Sequence, residues 1–297
     1  MIQNPRTRLK FEPAERLVIE QSTSLWLLTG IQRWWQSNGH SLNQYASCKE
    51  LPLRISVMDQ GPRHSGLGSG TQLSMALACG MYRAFDRDVP NAATLATVMR
   101  RGKRSAIGTH GFLNGGFLVD KGLDHDDTFA QLDLRFQFPD EWRVVLCIPK
   151  KMQGLHGNLE NKTFDELVDQ QLLHRDRLID LCHNHIVPAI EMRDYSRLQE
   201  PLFEFNRLSG EYFSQHQFGC YHSATCAQIV EDLRATGVGS VGQSSWGPCI
   251  FAICDNSNHA DEIVSRLQTN KPDFYCASNI DIITAEPDNS GFKEIVD

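Results

Sequence analysis

The stretch Gly61-Pro62-Arg63-His64-Ser65-Gly66-Leu67-Gly68-Ser69-Gly70-Thr71-Gln72 carries the residue types that hold an anion. It lies between an alternating apolar run and an almost wholly apolar one. A glycine-rich turn opening a helix lets backbone N–H groups converge, and the helix dipole adds roughly half a positive charge at that end. Gly66, Gly68 and Gly70 supply the turn, and Ser69 and Thr71 add hydroxyl donors. The common nucleotide motifs do not fit: no lysine follows Gly70 as a P-loop requires, and the glycine spacing is not that of dinucleotide folds. Glycine is also the default former of tight turns, so a plain strand-to-helix connection is the competing reading.

Two further segments share this chemistry. Arg101, Lys103 and Arg104 precede a second small-residue loop, Ser105-Ala106-Ile107-Gly108-Thr109-His110-Gly111, followed by Asn114-Gly115-Gly116. Clustered cations commonly form a solvated face. Beside a glycine-rich loop they can instead clamp phosphate, since arginine presents a planar fork to its oxygens. The third segment runs from Gly237 to Pro248 and includes Gln243, Ser244, Ser245 and Trp246, whose ring can stack on an aromatic or sugar ligand. Asp120 stands at the end of a Gly-Gly strand, placed for a magnesium contact or a general base; as the first residue of Asp120-Lys121-Gly122 it equally suits a turn. His64 either donates to a phosphate oxygen or caps the turn.

Other constellations are set aside. His174, His183 and His185 with Cys182 do not make a metal site, because helical positions 183 and 185 point about 200° apart. The acidic run Asp124-His125-Asp126-Asp127 reads as an exposed loop. The nine cysteines are scattered, with no CxxC pair, and several lie in apolar runs. Free thiols serving as small core residues follow, rather than a zinc site or disulfides.

These loops need elements to position them. Strands are expected at Arg8–Phe11, Leu17–Ile19, Leu51–Met58, Phe117–Asp120, Gln131–Phe138 and Trp142–Ile148, the last two joined as an antiparallel pair by a Pro139-Asp140-Glu141 turn. Helices are expected at Leu25–Gln36, Thr71–Phe85 and Asn91–Arg100, the last capped by Asn91 and stopped by Gly102. Beyond Pro149 the texture becomes helical over Phe164–Cys182, Leu198–Gln215 and Ala224–Thr236, separated by Pro188 and Gly219. Ser240–Val241, Ile250–Cys254, a helix at Asp261–Gln268 and Ile280–Ala285 close the chain as strand, strand, helix and strand. The class is α+β, with two domains divided near residue 150: 1–150 holding the glycine-rich loop and 151–297 an α+β sandwich.

With 297 residues and 41% hydrophobic content the chain can bury a large core or two ordinary ones. Its 36 acidic against 29 basic residues argue against nucleic acid as a partner. No apolar run approaches the roughly 18 residues of a membrane span, and the opening residues lack a signal core, so a cytoplasmic location is expected.

The three segments together resemble the GHMP superfamily, in which Gly66-Leu67-Gly68-Ser69-Gly70 occupies the phosphate loop. Gly66–Gln72, Arg104–Thr109 with Gly115–Asp120, and Val241–Pro248 resemble more narrowly the beta-ribofuranosylaminobenzene 5'-phosphate synthase family; Gly-Gln-Ser-Ser-Trp-Gly-Pro is the most specific part. The resemblance implies a two-domain GHMP-type fold, with a mixed or antiparallel N-terminal sheet and a ferredoxin-like C-terminal sandwich. It implies condensation of 5-phosphoribosyl 1-pyrophosphate with 4-aminobenzoate or 4-hydroxybenzoate, with loss of carbon dioxide and pyrophosphate, in tetrahydromethanopterin synthesis. Mg²⁺ is the implied cofactor, and a homodimer the implied assembly. Gly66, Gly68, Ser69, Gly70, Thr71, Arg101 and Lys103 then hold phosphate, Arg104 and Asp120 serve catalysis, and Ser105, Gly108, Thr109, Gln243, Ser244, Ser245 and Trp246 shape the substrate site. The alternatives are an ATP-dependent small-molecule kinase and an inactive binding protein of the same fold. Two departures bear on the last: the family sets a Pro-x-Arg strand ahead of the region matched by Asn4-Pro5-Arg6, and Phe218 stands where Gln-Gly-Gly is expected, bulky enough to narrow that loop.

Overall fold

The computed structural model describes residues 1–20, 24–102, 105–123, 128–152 and 174–295. In its first half β1 (Arg8–Pro13) and β2 (Val18–Glu20) flank β3 (Leu53–Asp59), β1 antiparallel and β2 parallel to it. Parallel neighbours need a crossover, which contains α1 (Ser24–Asn38). The alternation in β3 buries Leu53, Ile55 and Val57. Against them pack Leu27, Ile31 and Trp34 of α1, Leu73, Leu77 and Met81 of α2 (Ser69–Ala84), and Leu95 and Met99 of α3 (Ala92–Met99). Each fully buried aliphatic side chain contributes about 1.5–3 kcal/mol, so this cluster makes a firm platform for what α2 presents at its first turn. Asn91 caps α3, accepting from Thr94 N at 3.0 Å. The helix ends at Arg100 in the left-handed region (φ 54°), two residues before the expected stop at Gly102.

The second small-residue segment is not a loop but a helix, α4 (Ile107–Asn114), followed by β4 (Phe117–Asp120) and β5 (Leu132–Phe136), which pair antiparallel. The expected pairing of β5 with the following strand does not form. That strand, β6 (Arg143–Pro149), bonds instead to two strands from the end of the chain. The physical reason lies at Phe138: Asn289 accepts from its N–H at 2.8 Å and donates to its carbonyl at 2.8 Å, occupying the groups a hairpin partner would use. The sheets therefore part between β5 and β6, before residue 150.

Arg175–Asp180, a π-helical stretch Leu181–Ile186 and Val187–Glu191 run on as one helix, α5. Pro188 does not separate helices as expected, because the proline falls in the first turn after the π stretch, where its missing N–H is tolerated. Then come α6 (Tyr195–Tyr212), α7 (Ala224–Ala235), β7 (Val241–Gln243), β8 (Ile250–Cys254), α8 (Ser257–Asn270) and β9 (Ile280–Ala285). The four-stranded sheet has the order β7-β8-β6-β9 with every pair antiparallel, the ferredoxin-like arrangement.

One face of this sheet, with Val145, Cys147, Ile250 and Ala252, is covered by Ile229 and Leu233 of α7 and Ile263 and Leu267 of α8. Period-two alternation turns Leu146 and Ile148 to the other face, where they pack with Cys249 and with Leu67 of the glycine-rich loop. After β9 the chain returns to the first half: Phe292 stacks on Phe112 of α4 at 5.0 Å, and Glu294 pairs with Arg83 of α2 at 2.7 Å.

Candidate active site

The anion-binding geometry begins at Gly68, the exposed N-cap of α2, with φ 69° and ψ 17°. Its carbonyl accepts from Thr71 N at 2.9 Å and Gln72 N at 3.0 Å. The N–H groups of Ser69 and Gly70 belong to the first turn, which has no intrahelical acceptor for them. The hydroxyl of Ser69 is not an outward donor: it and Ser65 Oγ both donate to Pro62 O, at 3.0 and 2.9 Å. What Ser69 offers a ligand is its main chain.

Thr71 and Gln72 join α2 to α4. A Cβ on Gly108 would lie 3.1 Å from Thr71 Cγ2, and Gln72 Nε2 donates to Gly108 O at 3.1 Å. The first turns of two helices thus stand side by side, with their positive dipole ends together. Arg101 braces the first of them: Nε donates to Ser74 Oγ at 3.0 Å and Nη2 to Gly70 O at 3.1 Å. Its charge is therefore fixed at the first turn of α2. Lys103 and Arg104 lie outside the described residues, as does Asp124–Asp127.

Asp120 is a cap. Its Oδ2 accepts from Ala106 N at 3.2 Å and Ser105 Oγ at 3.4 Å, and its Oδ1 from Gly122 N at 3.2 Å. Both oxygens are engaged, one by the start of α4 and one by the Asp120-Lys121-Gly122 turn. This explains why a segment rich in glycine folds as a helix: a carboxylate offsets the dipole and satisfies an N-terminal N–H. Ser105 is exposed, while Thr109 is 1% exposed and its hydroxyl has no hydrogen-bond partner among the described residues. Thr109 is thus enclosed by α4 rather than presented to solvent.

The third segment comes from the other half of the chain and locks onto the glycine-rich loop. Ser244 Oγ donates to Gly66 O at 3.0 Å and Cys249 N to Ser65 O at 3.1 Å. Gln243 is buried and occupied: Oε1 accepts from His222 N at 2.6 Å and Nε2 donates to Ser245 O at 3.0 Å. Ser245 is exposed with φ 54°. Trp246 is not the open stacking wall expected of it; it is 5% exposed and covered by Phe213, ring centroids 4.3 Å apart. Phe218 does not narrow the loop it was expected to fill, because its side chain is 60% exposed.

Two contributors escaped the sequence reading. Leu67 anchors the glycine-rich loop on the C-terminal sheet, and its signal was a lone leucine among glycines. His222, beside Gln243, has its pKa lowered by burial, which favours the neutral imidazole. The histidines considered as metal ligands face different carboxylates: His174 faces Glu211 at 3.0 Å, His183 Asp133 at 3.6 Å and His185 Asp180 at 3.6 Å, the last two from the π-helical stretch. Among the described residues no three His, Cys, Asp or Glu side chains converge on a point where a metal could sit. No described helix is long and apolar enough to cross a membrane.

Residues 37–117 match the family described as GHMP kinases N terminal domain, and residues 186–273 the GHMP kinases C terminal. The solved structures agree. Mevalonate kinase of L. major in complex with R-mevalonate superposes with a TM-score of 0.66 at 15% identity, covering 96% of this chain and 87% of that one. Lactococcus lactis galactokinase complexed with galactose gives 0.63 at 13% identity, covering 95% and 85%. At such identities the likeness is one of fold. With both halves matched in order around the glycine-rich loop, this chain belongs to the GHMP kinase superfamily.

Within it, the chain is a relative of the beta-ribofuranosylphenol 5'-phosphate synthases. It is 29% identical over 215 residues to that of Methanothermobacter thermautotrophicus, covering 68% of this chain and 64% of the relative. To that of Methanocaldococcus jannaschii it is 27% identical over 215 residues, covering 68% and 63%. The matched region spans just under two thirds of these relatives' own length.

Proposed function

We propose that this protein is a phosphoribosyl-transferring, decarboxylating synthase that joins 5-phosphoribosyl 1-pyrophosphate to a 4-substituted benzoate. The observation that carries the reading is the start of α2 at Gly68, where the N–H groups of Ser69 and Gly70 have no intrahelical acceptor and the Arg101 guanidinium is bonded to Gly70 O. Clustered main-chain donors and a fixed cation suit a polyanion whose charge grows as it departs. The names of the relatives supply the rest: their product contains a phenol, so 4-hydroxybenzoate is the acceptor we favour, with 4-aminobenzoate as the comparison.

In this reaction the ring carbon bearing the carboxylate attacks the anomeric carbon, and the bond to pyrophosphate breaks with its electron pair leaving on oxygen. The carbon–carboxylate bond then breaks, releasing carbon dioxide and restoring the aromatic ring. Among the described residues no closed protein cage for Mg²⁺ is formed. They suit an ion carried mainly by pyrophosphate oxygens, a common mode for magnesium, since both oxygens of Asp120, the carboxylate first considered for it, are already bonded. Bound there, Mg²⁺ would neutralise charge on the leaving group. Gly68, Ser69 and Gly70 bind the phosphates through the main chain and Thr71 through its hydroxyl, its N–H being given to Gly68 O, and Arg101 holds that turn in place. Lys103 and Arg104 remain our candidate further anion partners. Ser105, Gly108 and Ser245 are the substrate-side residues we retain. The reading carries with it a cytoplasmic setting and a homodimer, the latter checked by sedimentation velocity.

The test is direct. With Mg²⁺, 5-phosphoribosyl 1-pyrophosphate and each aromatic acid, pyrophosphate and carbon dioxide should appear in equal amounts. Calorimetric binding of ATP, with no binding of 5-phosphoribosyl 1-pyrophosphate and no carbon dioxide release, would overturn the synthase reading in favour of a kinase. Binding of neither would leave the fold as a protein without this activity.

A further inference from the structure

We propose that Asn206, on α6, is a positioning residue for the glycine-rich loop and acts on it through Gln243 and Ser244; the proposal rests on the phosphate-binding reading of that loop. Asn206 Oδ1 accepts from Gln243 N at 2.8 Å, and its Nδ2 donates to Gln243 O at 2.9 Å. β7 is an edge strand, so its outer main-chain groups would otherwise lack a ladder partner. The asparagine amide stands in for that partner at the last residue of the strand.

Local sequence supports a purpose for this contact. Asparagine is a poor helix former, and in the middle of α6 it gains nothing from propensity. The strand makes room for it: a Cβ on Gly242 would lie 2.5 Å from Asn206 Cγ, so the close approach requires glycine there.

From Gln243 the constraint passes to the loop. With its main chain held by Asn206 and its side chain bridging His222 N and Ser245 O, Gln243 leaves the following residue little freedom. Ser244 then meets Gly66 twice, once through Oγ to Gly66 O at 3.0 Å and once by its carbonyl, which lies 2.1 Å from where a Cβ on Gly66 would stand. Gly66 itself is held at φ 92°. Two residues further on, Gly68 opens α2. A loop this rich in glycine has many conformations to lose, and a template supplied by the other half of the chain selects one before ligand arrives.

The experiment compares Asn206→Ala, Ser244→Ala and the double variant with Leu208→Ala, which removes a buried side chain from the same helix and leaves both hydrogen bonds to Gln243 in place. Hydrogen exchange is followed in peptides covering residues 61–72, and inorganic pyrophosphate is titrated calorimetrically. We expect Asn206→Ala and Ser244→Ala each to speed exchange in 61–72 by about tenfold and weaken pyrophosphate binding by about tenfold, the loss of one or two neutral hydrogen bonds. The double variant should add little, because both act along one route. Leu208→Ala should lower the Tm while leaving exchange in 61–72 and pyrophosphate affinity as in the parent. Unchanged exchange in 61–72 for Asn206→Ala, or an equal acceleration across the whole chain, would overturn the proposal. If Asn206→Ala does not fold, Asn206→Asp keeps the acceptor for Gln243 N and loses the donor, and is read the same way. Should the parent protein bind no pyrophosphate, the phosphate reading fails, while the exchange data still decide whether Asn206 holds the loop.

Discussion

Gly66 and Gly247 stand back to back, with no room for a side chain on either. A Cβ on Gly247 would lie 2.1 Å from Gly66 N and from Ser65 O, and one on Gly66 would lie 2.1 Å from Ser244 O. Residues nearly two hundred positions apart are thereby fitted main chain to main chain, and the glycine-rich loop lies directly against the other half of the chain. Gly247→Ala should cost about 1–3 kcal/mol of stability by forcing backbone apart. Gly66→Ala should cost more, adding the strain of a non-glycine residue at positive φ, about 1–3 kcal/mol. Urea unfolding of the two variants measures both, and a neutral Gly247→Ala would contradict the interlocked geometry.

Arg101 bonds to Gly70 O in the first turn of α2 and to Ser74 Oγ in the second, setting its charge beside the helix start. Arg101→Met should weaken binding of 5-phosphoribosyl 1-pyrophosphate by about tenfold or more, on the scale of a charge-assisted hydrogen bond of ~1.5–3 kcal/mol. Arg101→Lys should restore only part, since a point charge cannot brace Gly70 and Ser74 together. Calorimetric titration in low salt would show the order Arg, Lys, Met; equal affinities would remove Arg101 from the site.

Asp120 separates a cap from a catalyst. Asp120→Asn keeps an acceptor for Ala106 N but loses the negative charge at the helix start, so the stability loss should stay near 1 kcal/mol or below. Since both carboxylate oxygens are already bonded, we expect turnover to fall by less than about tenfold, short of the ~10²–10⁴ typical of a removed general acid or base. Thermal unfolding and steady-state kinetics on one preparation decide this; a thousandfold fall in kcat with unchanged Tm would make Asp120 part of the chemistry.

His222 should make the fold weaken on mild acidification. Burial lowers its pKa below the ordinary 6.5, so the unfolded chain takes up the proton first. Its contribution is complete above pH 6.5 and is lost as pH falls from there towards the lower folded value. His222→Gln should flatten that part of the profile of urea midpoint against pH between about 5 and 7. A profile identical to the parent's would show that the imidazole titrates alike in both states.

All nine thiols are free, and their reactivities should differ widely. Burial pushes Cys147 up to about 12 and Cys249 higher still, whereas a hydrogen bond with Ser278 lowers Cys276. A disulfide reagent at pH 8 should therefore modify Cys276 in the fastest phase, which Cys276→Ser would abolish.

Much of the architecture was written in local pattern. β4, β8 and β9 fall where alternation and flanking turns set them, and Asn91 caps α3 as its side chain requires. The glycine-rich loop was legible because helix starts and glycines bind anions by main-chain chemistry, which needs no partner to be recognised. Side-chain roles were not so legible. Ser69, Gln243 and Trp246 have the right functional groups, yet in the fold their polar or aromatic surfaces face Pro62, His222 with Ser245, and Phe213.

What the sequence determined by itself is the set of segments that can form helices, strands and an anion-binding turn, since these follow from periodicity and backbone chemistry within a few residues. The tertiary structure alone decided which of those segments meet. Asn289 occupies Phe138 and sends β6 to the other sheet, Asp120 turns a glycine-rich stretch into α4, and Ser244 and Gly247 set the shape of the loop at Gly66. Each of these depends on a hydrogen bond or a steric fit between residues far apart in the chain, and such pairings leave no periodic trace in the residues on either side.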